Sequence, residues 1–403
     1  MAVATQDVAT PARSRTSPVA SYYLLASATA LLVLVGLAAM LSSSSIDSLN
    51  EDGDPYTLFK QQVVFLVLGV VGMAVMSRVS PAALKGAAPW ILSTSIVLLV
   101  LVAATPLGHS SGGNKNWFKL GWVTAQPSEA AKLALALYVG LALSRLRSRL
   151  TTVKQAIVPA GLVAALVVGL VLAGKDIGTA VVMILLVAAA YWTAGLPLRF
   201  FVVGTTAAAA LVAVLVLSRD TLAARVTTWM ALDCGVDTCW QVTHGTWALA
   251  SGGIWGLGPG LSREKWSYLP KAHNDFIFAI LGEEFGLVGT IFVLIALAMI
   301  AIAVNRIVQR HRDPFVQITA AAIGAWIVGQ ACLNIAVVLG LAPVTGVPLP
   351  LVSSGGSSMI MTLVGIGVLL AFARREPGAA DALAVRPSLV RRSLAVVSGR
   401  RRG

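Results

Sequence analysis

The sequence predicts an all-α integral membrane protein of about ten transmembrane helices. Its termini are expected to be cytoplasmic, and a large extracytoplasmic loop should separate helices seven and eight. Hydrophobic residues make up 57% of the 403 positions and charged residues only 12%, about half the charged share of a soluble domain. Apolar runs of membrane-spanning length recur from Tyr22 nearly to Phe372, and every second loop between them is basic. The solvent for most of this chain is therefore lipid.

The apolar runs set the number of spans. A bilayer core about 30 Å thick takes roughly 20 apolar residues per helix. Windows of that length predict ten spans, at Tyr22–Leu41, Leu58–Met76, Pro89–Thr105, Pro127–Leu146, Val153–Ala173, Ile177–Gly195, Leu198–Leu217, Phe276–Asn305, Phe315–Leu341 and Ser357–Ala373. The eighth and ninth runs are overlong, so we expect a tilt or a kink there.

Charge sets the orientation. Basic residues occupy alternate loops, at Arg78 and Lys85, at Arg145, Arg147, Arg149 and Lys154, at Arg199, at Arg306, Arg310 and Arg312, and in the tail. The positive-inside rule makes these loops and both termini cytoplasmic. The plan is a cytoplasmic segment 1–20, a membrane domain 21–373 and a basic cytoplasmic tail 374–403, with extracytoplasmic loops near 108–126, 218–275 and 342–356. The net charge of +13 thus indicates orientation and contact with anionic membrane lipid, with no nucleic acid partner.

The outward loop 218–275 has an unusual composition. It holds five tryptophans, a residue that favours the headgroup level, so we expect it to lie on the membrane. Its glycine run between Gly252 and Gly260 lacks the pattern of a nucleotide-binding loop, and we interpret it as a flexible turn. Cys234 and Cys239 either bridge in an oxidising exterior or remain two free thiols.

The stretch from Tyr268 to Gly286 is the most informative part of the sequence. It places His273, Asn274 and Asp275 directly before a span, and Glu283 with Glu284 about two turns further in. A lone Asx residue at that position is usually only a helix cap. Ionisable groups at membrane depth are costly and usually mark a polar cavity, so the two glutamates favour a functional site.

Three more polar breaks lie on the outward side. Glu129 and Lys132 open the fourth span one turn apart, so Lys132 can pair with Glu129 or hold an anionic group. Lys175 and Asp176 form a short break that is either a tight turn or functional. The segment Pro343–Ser358, with Ser353 and Ser354, cannot be regular helix, and irregular backbone near membrane depth must be covered by protein or line a cavity.

Five motifs in this order resemble the SEDS family (shape, elongation, division and sporulation), and more its division members than its elongation members. They are Gln126-Pro-Ser-Glu129, Lys175-Asp-Ile-Gly-Thr179, His273-Asn-Asp-Phe-Ile-Phe278, Gly282-Glu-Glu284 and Pro348-Leu-Pro-Leu-Val-Ser-Ser-Gly-Gly-Ser-Ser358. The resemblance covers nearly the whole membrane region.

The resemblance implies a SEDS-type fold and a peptidoglycan glycosyltransferase that polymerises lipid II at the outer face of the bacterial cytoplasmic membrane, at the division septum. The family's catalytic aspartate falls on Asp275, and its fourth-span glutamate and lysine fall on Glu129 and Lys132. The chain departs from the family at Lys115 and Asn116, where an arginine usually precedes Trp117, and at Lys175, where proline is common. The substrate-binding set is Lys132, Glu129, Lys115, Asn116, Lys175, Asp176, Lys265, His273, Asn274, Glu283, Ser353 and Ser354.

The chemistry implied by the resemblance suits these residue types. Joining two lipid-linked disaccharides requires a base for the acceptor 4-hydroxyl and fixed positive charge for the departing pyrophosphate. Asp275 can be the base, with Lys132 and one of Arg263, Lys265 or Lys271 towards the pyrophosphate. A divalent cation, Mg²⁺ or Mn²⁺, would suit the pyrophosphate, although the sequence singles out no metal ligands, and we expect no organic cofactor.

Two other functions compete with this one. A lipid II flippase or transporter could line its path with the same residues, but transport usually needs polar groups through the bilayer depth. A non-catalytic divisome scaffold would not explain Glu129, Lys132 and Asp275 together. The resemblance also implies partners, namely a class B penicillin-binding protein acting as transpeptidase and other division proteins.

Overall fold

A computed structural model gives the fold. The structure describes residues 17–106, 108–111, 114–120, 123–146, 155, 157–217, 229–230, 239–266, 268–270 and 272–384. The N-terminal segment up to residue 16, most of 218–238, Lys271 and the tail beyond residue 384 lie outside this description.

Helices make up most of the described chain. They are α1 (Ala20–Asp52), α2 (Thr57–Met76), α3 (Pro81–Ala104), α4 (Pro127–Ser144), α5 (Leu162–Ala173, entered through a π-helical turn at Ile157–Gly161), α6 (Ile177–Ala194), α7 (Leu198–Leu217), α8 (Trp240–Gly252), α9 (Ile277–Arg310), α10 (Pro314–Val338), α11 (Gly356–Ala373) and α12 (Ala379–Ala384). Each predicted span coincides with one of them. Within the described residues, α1, α2, α3, α6, α9, α10 and α11 are long and apolar enough to cross a membrane. The chain is thus a mostly helical multi-pass membrane protein, while the count of ten spans and their orientation stay predictions.

Helix starts follow local capping chemistry. The side chains of Ser80, Asp176 and Asp313 accept backbone N–H bonds at the starts of α3, α6 and α10, which satisfies donors that have no partner within the helix. Proline occupies the first turn of α3, α4 and α10, where its missing N–H costs nothing. These residues fix where the spans begin.

Small residues allow the helices to pack closely. A Cβ added to Gly140 of α4 would lie 2.0 Å from Thr319 Oγ1 of α10. One added to Gly324 of α10 would lie 2.5 Å from a methyl group of Val304 on α9. In lipid, association between helices depends on such van der Waals packing because the tails are as apolar as leucine.

A small antiparallel sheet corrects the all-α prediction. Its strands are β1 (Gly108–Ser111), β2 (Asn114–Leu120) and β3 (Val123–Ala125), in the order β1-β2-β3. They occupy the loop between α3 and α4. A loop of this length must satisfy its backbone N–H and C=O groups locally, and paired strands do so without help from the helices.

Polar contacts between the helices gather at two opposite ends of the molecule. One end carries both described chain termini: Arg306 donates to Ser17 O and Ser21 Oγ, and Arg310 pairs with Glu376 at 3.1 Å. We name it the terminal end. The opposite end joins the start of α9 to the end of α1 and to the α10–α11 connection, and we name it the site end.

The predicted kink in the eighth span is confirmed. Gly286 in α9 has φ 65° and ψ −163°, a region that is essentially restricted to glycine. The following α10 has no such break along its length, all of which is described.

The glycine run before α9 is not a flexible turn, contrary to the sequence interpretation. Leu257 and Gly258 donate their N–H groups to the carbonyls of Glu283 and Glu284, at 2.9 and 3.0 Å. In return, Leu287 N–H donates to Gly253 O at 2.9 Å. The run therefore satisfies the backbone groups that the break in α9 leaves open, because a polar group without a partner is costly at membrane depth.

Two further predictions can be compared with the fold. Cys239 is disulfide-bonded, while Cys234 lies outside the described residues, so their pairing stays a prediction. The predicted tail begins with a turn and the short helix α12, and it touches the N-terminal segment, because a Cβ on Gly378 would lie 3.5 Å from Pro18.

Candidate active site

The connection between α10 and α11 forms the centre of the site end. Residues 339–355 contain no regular helix or strand, and amide side chains from two flanking helices satisfy much of their backbone. Gln330 of α10 donates to Pro348 O at 2.9 Å, and Asn334 donates to Val347 O at 2.8 Å. Gln62 of α2 donates to Ser353 O and accepts from Gly355 N–H. The irregular backbone predicted at membrane depth is thus held by protein.

Asp275 lies beside this connection, half-buried, two residues before α9 begins. Its backbone carbonyl accepts a 2.8 Å hydrogen bond from Asn334 Nδ2, the same amide that holds Val347. Its carboxylate faces Gly346, where an added Cβ would lie 3.6 Å from Oδ2. The N-terminal cap of α9 is Phe276, so Asp275 is not the capping residue of the helix. The backbone of Asp275 is therefore held by α10, and its carboxylate faces the loop.

His273 and Asn274 tie the same segment to two other elements. The carbonyl of Asn274 accepts from Ser353 Oγ at 2.7 Å, and the carbonyl of His273 accepts from Ser354 N–H at 3.0 Å. The ring of His273 contacts Asp47 of α1 through Nδ1 at 2.8 Å. The predicted residues His273, Asn274, Asp275, Ser353 and Ser354 therefore come together.

Glu129 and Lys132 form a buried ion pair in the first turns of α4. Lys132 Nζ lies 2.8 Å from Glu129 Oε1, and both side chains are at most 3% exposed. The same ammonium donates to Gln330 Oε1 at 2.8 Å and lies 5.1 Å from the centroid of the Trp326 ring. Because Gln330 also donates to Pro348 O, the pair is connected to the loop that flanks Asp275.

Asp176 joins this group from the start of α6, and Lys175 does not. The Asp176 carboxylate accepts from Thr179 N–H at 3.0 Å and from Gln126 Nε2 at 2.9 Å. Burial raises the pKa of Asp176 above its ordinary value, the N–H of Thr179 opposes this shift, and the nearby charge of Glu129 adds to it. Lys175 has a positive φ of 66° and an exposed side chain. The sequence left a tight turn and a functional role open for this break, and the structure gives the tight turn at Lys175.

The residues that precede Trp117 lie on strand β2. Asn116 is buried, and no hydrogen-bond partner for its Nδ2 occurs among the described residues. The side chain of Lys115 lies outside the description. Neither residue is linked by a described contact to Asp275.

Glu283, Glu284 and Lys265 belong to a second buried cluster. Glu283 accepts from Ser262 Oγ at 2.5 Å and from Arg263 N–H at 3.0 Å. Lys265 Nζ donates to Gly260 O at 2.6 Å and lies 3.9 Å from Glu284 Oε1. This cluster fixes the segment after the glycine run to the broken part of α9. Its described contacts do not include Asp275 or the Glu129–Lys132 pair.

The sequence prediction missed three residues of the site, Gln62, Gln330 and Asn334. Each is an amide at most 4% exposed. Gln330 and Asn334 lie in the apolar second half of α10, and that isolation was an available signal, since a buried amide needs hydrogen-bond partners. Gln62 directly follows Lys60 and Gln61 in α2, so its position gave no such signal. Among the described residues, no three or more His, Cys, Asp or Glu residues gather in a way that could hold a metal ion.

Fold and site together define a polytopic membrane protein. At one end of its helices, a buried ion pair is connected through one irregular loop to a half-buried carboxylate. A family model, that of the cell cycle proteins FtsW, RodA and SpoVE, matches residues 22–377. The chain therefore belongs to this family, which confirms the resemblance seen in the sequence.

Two curated relatives support the same family assignment. The chain is 38% identical over 367 residues to the probable peptidoglycan glycosyltransferase FtsW of Mycobacterium tuberculosis, covering 91% of this chain and 70% of the relative. It is 38% identical over 351 residues to the protein of the same description from Halorhodospira halophila, covering 85% and 87%.

Two solved structures have the same fold. One is a chain of a peptidoglycan synthase complex that coordinates polymerization and crosslinking, with a TM-score of 0.71, 27% identity and coverage of 87% of this chain and 96% of that one. The other is the rod shape determining protein RodA of Thermus thermophilus, with a TM-score of 0.64, 28% identity and coverage of 88% and 97%.

Proposed function

We propose that this chain is a peptidoglycan glycosyltransferase that polymerises lipid II at the outer face of the cytoplasmic membrane, with Asp275 as the general base. The two relatives at 38% identity are described as probable enzymes of this class. The observation that carries the role of Asp275 is its setting: a half-buried carboxylate held through its backbone by Asn334, beside the loop that the Glu129–Lys132 pair supports.

The proposed reaction joins two lipid-linked sugars. The oxygen of the acceptor 4-hydroxyl attacks C1 of the donor sugar, and its proton passes to the Asp275 carboxylate. The bond from C1 to the donor's pyrophosphate oxygen breaks, and its electron pair leaves with the lipid pyrophosphate. Fixed positive charge near the leaving group favours this step. Lys132 is the buried cation that is connected to the loop beside Asp275. The described residues offer no three-ligand cluster for a metal, so no step is assigned to Mg²⁺ or Mn²⁺.

The location of the site suits substrates that keep their lipid tails in the bilayer. Asp275 and the Glu129–Lys132 pair lie at the site end. The terminal end carries Arg78, Arg306 and Arg310 and both described termini. With the termini in the cytoplasm, Asp275 faces the outer leaflet. A class B penicillin-binding protein as partner belongs to the same proposal, supported by the likeness to a chain of a peptidoglycan synthase complex. Septal placement is also part of the proposal and rests on the resemblance to the family's division members.

Asp275→Asn tests the proposed base with little change of shape. Asparagine takes no proton, and loss of a general base typically lowers the rate by about 10² to 10⁴. We expect that reduction in glycan polymer made from labelled lipid II in liposomes that contain the chain and its partner, with unchanged membrane insertion and thermal unfolding.

Asp313→Asn is the matched control. Asp313 caps α10 at the terminal end, and asparagine keeps a cap, so polymerisation should stay near the wild-type rate. Near-wild-type polymerisation by Asp275→Asn would contradict the proposed base. Translocation of lipid II without any polymer from the wild-type chain would instead favour a flippase.

A further inference from the structure

A basic pocket lies at the terminal end, away from the candidate active site. It has a volume of about 560 Å³ and lies between the start of α1, the end of α2, the end of α11 and α12. Tyr22, Arg78, Arg374 and Arg375 line one part of it, and Leu383 of α12 lines another. The size falls within the range of about 300–1,000 Å³ that is usual for small-molecule sites.

The three arginines of this pocket are not neutralised by acidic side chains. Among the described residues, no carboxylate lies within salt-bridge distance of them, including that of Asp381, which is exposed on α12. Two other acids at this end are already paired. Asp313 binds Lys85 at 2.7 Å, and Glu376 binds Arg310 at 3.1 Å. Three guanidinium groups that share one pocket repel one another unless an anion joins them. The pocket therefore has the charge of an anion site.

Two of the guanidinium groups are already oriented. Arg374 donates from Nη2 to Tyr22 OH at 3.0 Å and lies 5.1 Å from the centroid of that ring. Its Nε is buried and has no hydrogen-bond partner in the part of the chain that the structure describes. Arg375 donates to Ala371 O at 2.8 Å and to Arg78 O at 3.3 Å. A guanidinium carries five N–H donors, so donors remain for a ligand. Fixed forks of this kind suit the oxygens of a phosphate and lose little entropy on binding.

Ser77 adds a hydroxyl to the pocket at the end of α2, and the wall that α12 contributes is apolar. Ala380 and Leu383 of α12 face the arginines, and Tyr22 belongs to a helix that is long and apolar enough to cross the membrane. A free phosphate would leave this wall without a partner, whereas a phospholipid has both an anionic group and hydrocarbon. Basic pockets between helices at the membrane surface bind the head groups of anionic lipids in this way.

We propose that this pocket binds the phosphate head group of an anionic phospholipid, which joins α12 to the starts and ends of the spans around it. The inference does not depend on the proposed activity. It assigns a ligand to the arginines at positions 78, 374 and 375 beyond their effect on orientation.

Native mass spectrometry of the full chain in detergent can test the pocket. The probe is dioctanoyl phosphatidylglycerol, titrated against dioctanoyl phosphatidylcholine and against inorganic phosphate as competitors. We expect Arg374→Gln with Arg375→Gln to raise the dissociation constant of the anionic lipid at least tenfold, since each lost charge-assisted contact is worth about a factor of ten. The matched control is Arg145→Gln with Arg199→Gln, which removes two exposed arginines outside the pocket and should change the constant less than twofold.

A third variant guards against misfolding. Arg78 makes no side-chain hydrogen bond to another described residue, so Arg78→Gln should weaken lipid binding several-fold at an unchanged unfolding temperature. If the pocket variants and the control variant lose affinity for the anionic lipid equally, the lipid responds to the overall charge of the protein, and the proposed site is overturned. Full displacement of the lipid by millimolar inorganic phosphate, or equal binding of both lipids, would overturn the assignment to an anionic phospholipid.

Discussion

The buried Glu129–Lys132 pair gives the sharpest test of how the site is built. Glu129 Oε1 bonds Lys132, and Glu129 Oε2 is buried with no hydrogen-bond partner among the described residues. Lys132→Met therefore leaves a buried carboxylate with no described hydrogen bond. Breaking a buried pair in this way costs about 3–5 kcal/mol of unfolding free energy. Glu129→Met should cost less, about 1–3 kcal/mol, because the ammonium keeps Gln330 and the Trp326 ring.

The double variant separates folding from catalysis. Replacing both partners by methionine removes the uncompensated charge, so its unfolding free energy should recover to within about 1–2 kcal/mol of the wild type. The two mutations are thus expected to be non-additive by at least about 2 kcal/mol, and by about 4–5 kcal/mol at the middle of these ranges. Polymerisation of lipid II should nevertheless be lost in the double variant. Lys132 is the positive charge proposed to favour departure of the pyrophosphate, and it is also the partner of Gln330. Unfolding in detergent and the liposome assay measure the two quantities on the same preparation.

An exposed pair at the terminal end provides the control. Lys85 and Asp313 are 36% and 35% exposed at a separation of 2.7 Å, so Lys85→Met should cost only about 0.2–1 kcal/mol. A cost for Lys132→Met no greater than that of Lys85→Met would refute the buried-pair reasoning. Additive losses in the double variant would refute the coupling, and wild-type polymerisation by a stable double variant would restrict Lys132 to a structural role.

Two further predictions concern topology and the break in α9. The topology is tested in a Cys332→Ala background, which removes the free thiol of the described chain. An impermeant thiol reagent applied to intact cells should label the Tyr268→Cys variant and leave the Arg312→Cys variant unlabelled. The reverse pattern would mean that the predicted orientation is inverted. Gly286→Ala should cost more than about 2 kcal/mol of unfolding free energy, because a Cβ there would lie 2.5 Å or less from backbone atoms at a φ of 65°. Gly169 lies on α5 with open space around an added Cβ, so Gly169→Ala should be neutral or slightly stabilising. Equal costs for the two variants would show that strain at the break in α9 does not explain the cost of Gly286→Ala.

The sequence predicted the helices well because their signal is composition and length. Every predicted span coincides with a helix, and the overlong eighth run contains the kink at Gly286. The sheet at residues 108–125 was not predicted because its strands are short and lack a clear alternation of apolar and polar residues. Helix α8 was missed for a related reason: its thirteen residues, Trp240–Gly252, are too few to span a membrane and are mixed in polarity.

The site was predicted in part for a different reason. Ionisable residues at membrane depth are costly, so Glu129, Lys132 and Asp275 could be singled out one by one. Which of them act together depends on tertiary contacts that no spacing encodes. Glu283 lies only eight residues after Asp275, yet its carboxylate binds the segment after the glycine run. Sequence proximity therefore joined two clusters that the fold separates.

The amides explain why an irregular loop can persist at the centre of this site. A charged side chain in the same positions could offer only donors or only acceptors, whereas an amide offers both. Gln330 accepts from Lys132 and from Trp326 while donating to Pro348 O. Asn334 places one donor group on the carbonyls of both Asp275 and Val347. The groups that α10 fixes are therefore the buried cation, the proposed base and the loop between them. Displacement of any one of them would have to break a hydrogen bond that is buried or partly buried.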